Sequence, residues 1–232
     1  MISASNLASL AGLLADETRA AICLALLDGR AWTAGELAAH TRVAPSTATG
    51  HLHRLVDGGL LVQRRQGRHR YVQLADPSVA HLLESLVAGL DLRPAPPRGL
   101  RAATASAALR RGRTCYDHLA GRLGVAVTDA MTGAGLLDQR GGFALTPAGL
   151  GWLTETLGVR PAALRSGNRP LARGCLDWTE RRQHLAGSAG ARLCETFLGN
   201  GWIARIGSGR AVRPTPSGRA ALRDLLGLTD LD

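Results

Sequence analysis

At 232 residues and 45% hydrophobic content the chain can build one large or two ordinary globular cores. Its 28 basic residues, all arginine, outnumber 18 acids and give a net charge of +10, which favours a polyanionic partner. No apolar run approaches the ~20 residues that cross a bilayer. No charged start leads into a hydrophobic signal core, and the four cysteines fit free thiols in a reducing cytoplasm, the location expected of the protein.

Leu7, Leu10, Leu13 and Leu14, then Ala21, Leu24 and Leu27, recur with helical periodicity on either side of Asp16. Ile22, Ala25 and Leu26 occupy further faces, more than one core needs, and this surplus suggests a partner helix. Thr33 is an N-cap with Glu36 as its capping-box partner. After the turn Val43-Ala44-Pro45-Ser46, Pro45 suits the first position of a second helix that runs to Asp57. Ala48, Leu52 and Leu55 form its core face, with His51 turned toward that side. Ser46, Gly50, His53 and Arg54 point the other way, flanked by Thr47 and Thr49. Gly58-Gly59 stops the helix. Leu60-Leu61-Val62 and Tyr71-Val72-Gln73-Leu74 then read as hairpin strands around a tip, Gln63 to Arg70, that carries Arg64, Arg65, Arg68, His69 and Arg70.

Helix, turn, helix and basic hairpin is the order of a winged helix-turn-helix that reads duplex DNA. The helix from Pro45 to Asp57 is expected in the major groove. Ser46, Thr47, Thr49, Gly50 and His53 approach the bases, Arg54 reaches phosphate, and Pro45 at the head of the helix belongs to the same DNA-binding set. The four wing arginines fall within seven residues and repel one another unless phosphates or acids are near, so they are placed on the DNA backbone or minor groove. A later helix opens near Asp76-Pro77 and carries Ala80, Leu83, Leu86, Val87 and Leu90. With the first helices it is expected to make a homodimer interface. Residues 1–92 then form a DNA-binding and dimerisation domain, 93–99 a Pro-rich linker, and 100–232 an effector or scaffold domain.

Leu14-Ala15-Asp16-Glu17-Thr18-Arg19 resembles the opening of ArsR/SmtB-type bacterial repressors. Glu36-Leu37-Ala38, the run from Pro45 to Leu52, and Leu55-Val56-Asp57-Gly58-Gly59-Leu60-Leu61 are similar to the pattern that follows in them. The resemblance implies a dimeric, DNA-binding repressor released by an inducer. Leu37-Ala38-Ala39-His40 stands where the cysteine pair of arsenic and cadmium sensors lies. Of the zinc-sensor set on the closing helix only His81 and Glu84 have suitable spacing, so metal sensing at those places is not expected.

The second half repeats itself. His118-Leu119-Ala120-Gly121 recurs as His184-Leu185-Ala186-Gly187, and Thr146-Pro147-Ala148-Gly149 answers Thr215-Pro216-Ser217-Gly218. Arg113-Thr114-Cys115-Tyr116-Asp117 answers Arg173-Gly174-Cys175-Leu176-Asp177. Each copy, about 112–160 and 172–228, reads helix, helix, hairpin, Thr-capped helix, a degenerate winged-helix-like unit. The fold class is mainly α with short β-hairpins (α+β). Val125 to Met131 offers too few polar groups for a reading helix. Around Gly207-Ser208-Gly209, Arg205 and Arg210 are somewhat wing-like, which leaves non-specific phosphate contact open. The segments around Cys115 and Cys175 resemble a signature of a longer ArsR-type subgroup, which extends the likeness over most of the chain.

Cys115 and Cys175 hold equivalent repeat positions, so pseudo-twofold packing would bring them together as metal ligands. An Arg two residues before each favours thiolate, and His118 and His184 would complete a site for a soft ion. Core thiols with packed histidines are the plainer reading. The rival is an aromatic-lined cleft for a small molecule, built from Tyr116, Trp178, Trp152 and Trp202 with Asp117, Asp177 and Arg182 at its rim. Trp152 and Trp202 also fit core anchors, as Cys23 and Cys194 fit core thiols. The inducer classes admitted are therefore a soft metal ion, a thiol oxidant or a small molecule. No Gly-rich phosphate loop, nucleophile elbow or zinc-protease motif occurs, so no enzyme and no required cofactor is expected. The competing function is an effector-independent architectural DNA binder that uses both halves.

Overall fold

The computed structural model describes residues 3–67, 69–89, 100–165, 169–207 and 209–231. The linker at 93–99, Arg68, Leu90 and Ser208 fall outside them. The chain divides into two compact units, Met1–Leu83 and Glu84–Asp232, a boundary earlier than the one at 92 expected from the prolines.

In the first unit α1 (Ala4–Leu14) gives way to α2 (Glu17–Leu26) because Asp16 caps the second helix, accepting the Arg19 N–H at 2.9 Å. The Arg19 guanidinium folds back to donate to the carbonyls of Gly12 and Leu13, which satisfies the exposed end of α1. β1 (Trp32–Thr33) leads into α3 (Ala34–Thr41), whose capping box is complete: Glu36 accepts from the Thr33 N–H at 2.7 Å, and Thr33 accepts from the Glu36 N–H. α4 (Pro45–Asp57) buries Ala48, Leu52 and Leu55, and β2 (Leu61–Gln66) with β3 (His69–Leu74) forms the wing. The antiparallel sheet has the order β1-β3-β2; the two-residue β1, pairing Trp32 with Val72, was not expected. α5 (Pro77–Gly89) follows, and the boundary between the units falls inside it.

Two expectations change. Ile22 and Leu26 are core residues rather than surplus, at 0% and 1% exposure. The surplus is instead Leu7 at 63%, Leu24 at 42% and Leu86 at 41%, and α1 buries no residue at all. The wing strands also run further than Val62 and Tyr71. Pairing continues to Gln66 opposite His69, so most of the expected tip is sheet.

The second unit holds α6 (Leu100–Arg111), then β4 (Arg113–Cys115), β5 (His118–Ala120), α7 (Gly121–Gly133), β6 (Leu137–Asp138), β7 (Ala144–Leu145) and α8 (Pro147–Gly151). α8 runs on as a π-helical turn, Trp152–Thr156. A short α9 (Pro161–Leu164) precedes the second copy: β8 (Arg173–Leu176), β9 (Gln183–Ala186), α10 (Gly187–Gly199), β10 (Ile203–Arg205), β11 (Val212–Pro214) and α11 (Pro216–Leu226). The repeat is there with one correction, since the Arg-x-Cys segments are strands. A hairpin opens each copy where a first helix was expected, and helix–wing–helix order follows it. Thr146 and Thr215 cap α8 and α11 by accepting the N–H of Gly149 and Gly218, each at 3.0 Å. α7 and α10 lie in the core with Leu153, Ile203 and Leu222, and Trp152 and Trp202 pack on it as anchors. Among the described residues no helix is long and apolar enough to cross a membrane.

Candidate functional site

The start of α7 and of α10 sets the geometry of the second unit. Gly121 and Gly187 adopt φ of +71° and +86°, which an L side chain adopts only with strain. A Cβ on Gly121 would lie 2.7 Å from the Arg110 carbonyl oxygen, and one on Gly187 2.7 Å from that of Pro170. This is why His-Leu-Ala-Gly ends in glycine: the chain leaves a strand and enters a helix in one residue. The turn directs β5 and β9 side by side, and Cys115, Ala120, Cys175 and Ala186 form a small buried cluster there.

Cys115, His118, Cys175 and His184 meet in that cluster, all buried, with one ligand atom from each within 4.8 Å of every other. The sulfurs are 3.8 Å apart and the two Nε2 atoms 3.2 Å apart. A tetrahedral ion with bonds of about 2.3 Å to sulfur and about 2.0 Å to nitrogen requires edges of about 3.8 Å and about 3.3 Å. The sulfur–sulfur and Nε2–Nε2 separations match those two edges and the other donor pairs lie within 4.8 Å, so the donor set suits a thiophilic or borderline divalent ion that draws the four together as it binds.

The layer behind the donors repeats with the chain. Asp117 Oδ1 lies 3.2 Å from His118 Nδ1, and Asp177 Oδ2 lies 3.4 Å from His184 Nδ1. The hydrogen bond to Asp117 holds the His118 imidazole with Nε2 facing inward, while Asp177 stands beside His184 Nδ1 as an electrostatic neighbour without a hydrogen bond to it. Arg169 grips Asp117 with both terminal nitrogens, one of them at 2.9 Å, while Arg113 Nη2 stands 2.9 Å from Asp177 Oδ2. The two carboxylates and two guanidiniums cancel in pairs, which leaves the two sulfurs to balance a dication. Asp177 is also a hub: it accepts the N–H groups of Gly121, Thr179 and Glu180, and the Thr179 hydroxyl.

These contacts set the proton chemistry. The Cys115 S–H facing it pulls the Cys175 thiol far below its ordinary range, with His118 and His184 adding to this against the push of burial. The same pairing, then burial, pushes Cys115 up. For His118 burial works against the imidazolium, yet Asp117 and Cys175 outweigh it and raise its pKa. Cys23 and Cys194 behave as core thiols, pushed up to about 11 and about 12 mainly by burial.

Several expected roles are corrected. Arg113 does not activate Cys115; its guanidinium is spent on Asp177, on the Leu109 carbonyl and on the face of Trp178, 4.7 Å from the ring centroid. The aromatic-lined cleft does not form, because Trp152 and Trp202 join the core and Asp177 is wholly buried. Tyr116 sits at the β4–β5 turn with φ of +59°. Glu84 is buried in an ion pair with Arg210 at 2.8 Å, so neither residue is left for a metal on α5 or for a second wing. The four donors are the two thiols and two imidazoles expected from the repeat; Arg169 carries no sequence motif that would have flagged it.

In the first unit the outward face of α4 is open. Pro45, Ser46, Thr47, Thr49, Gly50, His53 and Arg54 are all exposed, as are Arg64, Arg65, His69 and Arg70 on the wing. Arg65 and Arg70 oppose each other across the strands. Like charges in that position are destabilising, and the +2 charge is left for an outside anion. The Thr49 hydroxyl already donates to the Pro45 carbonyl at 2.8 Å. His51 faces Asp16 at 3.6 Å, in keeping with a structural role.

A helix-turn-helix with a basic wing, followed by a repeat unit that closes around two thiols and two imidazoles, defines a DNA-binding regulator with an appended domain. Residues 14–64 match the family model described as a helix-turn-helix domain. Over 218 residues the chain is 38% identical to the uncharacterized HTH-type transcriptional regulator YdfF of Bacillus subtilis (strain 168), spanning 93% of this chain and 95% of that one. It is 43% identical over 83 residues to the HTH-type transcriptional regulator CmtR of Mycobacterium bovis, covering 36% of this chain and 70% of CmtR. The NMR structure of the cadmium metal-sensor CmtR from Mycobacterium tuberculosis aligns at 38% identity over 40% of this chain and 95% of that one, with a TM-score of 0.33. The chain belongs to the ArsR/SmtB-type family of helix-turn-helix transcriptional regulators. The likeness to YdfF runs through both units, whereas that to CmtR covers little more than a third of the chain.

Proposed function

We propose that the protein is a homodimeric repressor whose hold on its operator is released by a thiophilic divalent ion bound at Cys115, His118, Cys175 and His184. One observation carries this reading: two buried thiols and two buried imidazoles lie within 4.8 Å of one another, the sulfur pair and the nitrogen pair at tetrahedral-edge separations, with a carboxylate beside each imidazole. Because the likeness to the cadmium sensor covers 40% of this chain, the metal reading rests on the cluster itself. When bound, the ion would cross-link β4–β5 to β8–β9. The Thr114 N–H beside Cys115 donates to the Arg210 carbonyl at 2.9 Å, and Arg210 holds Glu84 on α5. Movement at the cluster is thereby passed to α5, which with α1 and α2 is assigned the dimer interface; the exposed Leu7, Leu24 and Leu86 support that assignment.

The DNA contacts assigned are Pro45, Ser46, Thr47, Thr49, Gly50, His53 and Arg54 on α4, and Arg64, Arg65, Arg68, His69 and Arg70 on the wing. A twofold dimer wants half-sites about one helical turn apart. Fluorescence anisotropy on duplexes from the gene's own upstream region, against a scrambled control, tests the whole reading. Specific binding weakened by Cd²⁺, Zn²⁺ or Pb²⁺ is expected. Specific binding indifferent to all three would remove the metal reading and leave the regulator.

For the wing, Arg65→Ala with Arg70→Ala is expected to weaken binding to every duplex. The slope of log K against log salt should fall by about 2 per protomer, since each lost phosphate contact removes about 0.9. An unchanged slope would take the wing off the backbone.

A further inference from the structure

The second unit has a cavity of about 540 Å³, a size that suits a small organic ligand, away from the buried cluster. Arg111, Arg122, Arg182, Arg213 and Arg219 line it. Asp129, Glu180 and Asp230 are its only acids among the described residues, so its walls carry a net positive charge. Arg182 is engaged by Asp129 at 2.8 Å. Among the described residues Arg111, Arg122 and Arg213 meet no carboxylate. Guanidiniums gathered around one cavity without enough acids repel one another, and an anion relieves that repulsion through paired N–H donors. Behind them the surface is apolar: Leu123 and Val125 from α7, and Val212 and Pro214 from β11. The cavity thus offers a cationic rim and a greasy floor.

We propose that this cleft binds an organic anion, a carboxylate, sulfonate or phosphate on an aromatic or aliphatic body. The apolar floor takes the body, and Arg122 and Arg213 take the charged head. Inorganic phosphate alone leaves the floor uncovered and is not the ligand the site fits. The cleft shares two elements with the metal cluster. α7 starts at Gly121, whose N–H is held by Asp177, and Glu180 and Arg182 belong to the turn that follows Asp177. An anion seated there touches the frame of the cluster without touching its donors.

Titration of the full chain with 1-anilinonaphthalene-8-sulfonate, an amphipathic anion that fluoresces when it leaves water, tests this directly. One saturable site per chain is expected. Arg122→Ala with Arg213→Ala, both exposed in the folded chain, should weaken it at least tenfold with the far-UV circular dichroism unchanged. Cys115→Ser with Cys175→Ser should leave it intact, so failure of the metal reading and failure of this one are separable. Equal dye binding by the arginine variant would overturn the proposal. So would unchanged dye binding together with weaker binding of a random duplex, which would make these arginines phosphate contacts.

Discussion

Cys115→Ser and Cys175→Ser are each expected to abolish stoichiometric Co²⁺ binding by the full chain. The parent should take up one ion per chain with the intense visible absorption of a tetrahedral thiolate–imidazole site. The reason is geometric. All four donors are buried within 4.8 Å of one another, so no neighbouring residue can replace a lost thiolate without repacking the hairpins. Cys23→Ser and Cys194→Ser, which alter core thiols outside the cluster, should bind Co²⁺ as the parent does. Because the ion joins two hairpins that the unfolded chain does not hold together, binding should also stabilise the second unit. At a thousandfold excess of free Zn²⁺ over Kd this amounts to about 4 kcal/mol, readable as a rise in Tm that the serine variants lose. A Co²⁺ spectrum that survives either substitution would place the ion elsewhere.

The second large effect lies one layer out. Arg113 and Asp177 are both 0% exposed and 2.9 Å apart, and they join β4 to the turn after β8. Burial by itself would raise the pKa of Asp177. Arg113, the Thr179 hydroxyl and the Gly121 N–H overcome this and hold the carboxyl well below the usual range. Arg113→Met leaves that carboxylate buried without its cation, and Asp177→Asn leaves the guanidinium unpaired. Breaking a buried pair from one side costs about 3–5 kcal/mol. Each variant is expected to lose that much in urea unfolding followed by tryptophan fluorescence. The double variant should recover part of the loss, because no uncompensated charge remains. Single variants within 0.5 kcal/mol of the parent (about the noise expected of an ordinary surface change) would show that the pair is solvated in solution.

How far the chain could be read in advance differs between its halves. Thr33 with Glu36, Pro45 at the head of α4, and Ala48, Leu52 and Leu55 on one face are local signals within a few residues, and each appears where it was read. Strand ends were less legible. The pairing of Gln66 with His69 depends on a partner strand, and β1 exists only because β3 offers Val72 and Tyr71 to it. In the second half the repeat is visible from matched words, but the hairpin that opens each copy is not, and the sequence there suggests a helix instead. Three or four residues of strand carry no periodicity to read, and their direction is set by Gly121 and Gly187.

The sequence by itself determined the reading head, the family, the repeat and the equivalence of Cys115 with Cys175, because these lie in short-range spacing and in the order of motifs. Only the tertiary structure decided what the repeat is for. It is the apposition of β5 and β9, residues 66 apart in the chain, that sets the two imidazoles 3.2 Å apart with two thiols beside them. It likewise turned Arg113 from Cys115 to Asp177, gave Glu84 to Arg210, and put five arginines around one cleft. Charges and donors far apart in the chain have no partner until the backbone is folded. Which ones meet is settled by burial and by the pairing that burial demands.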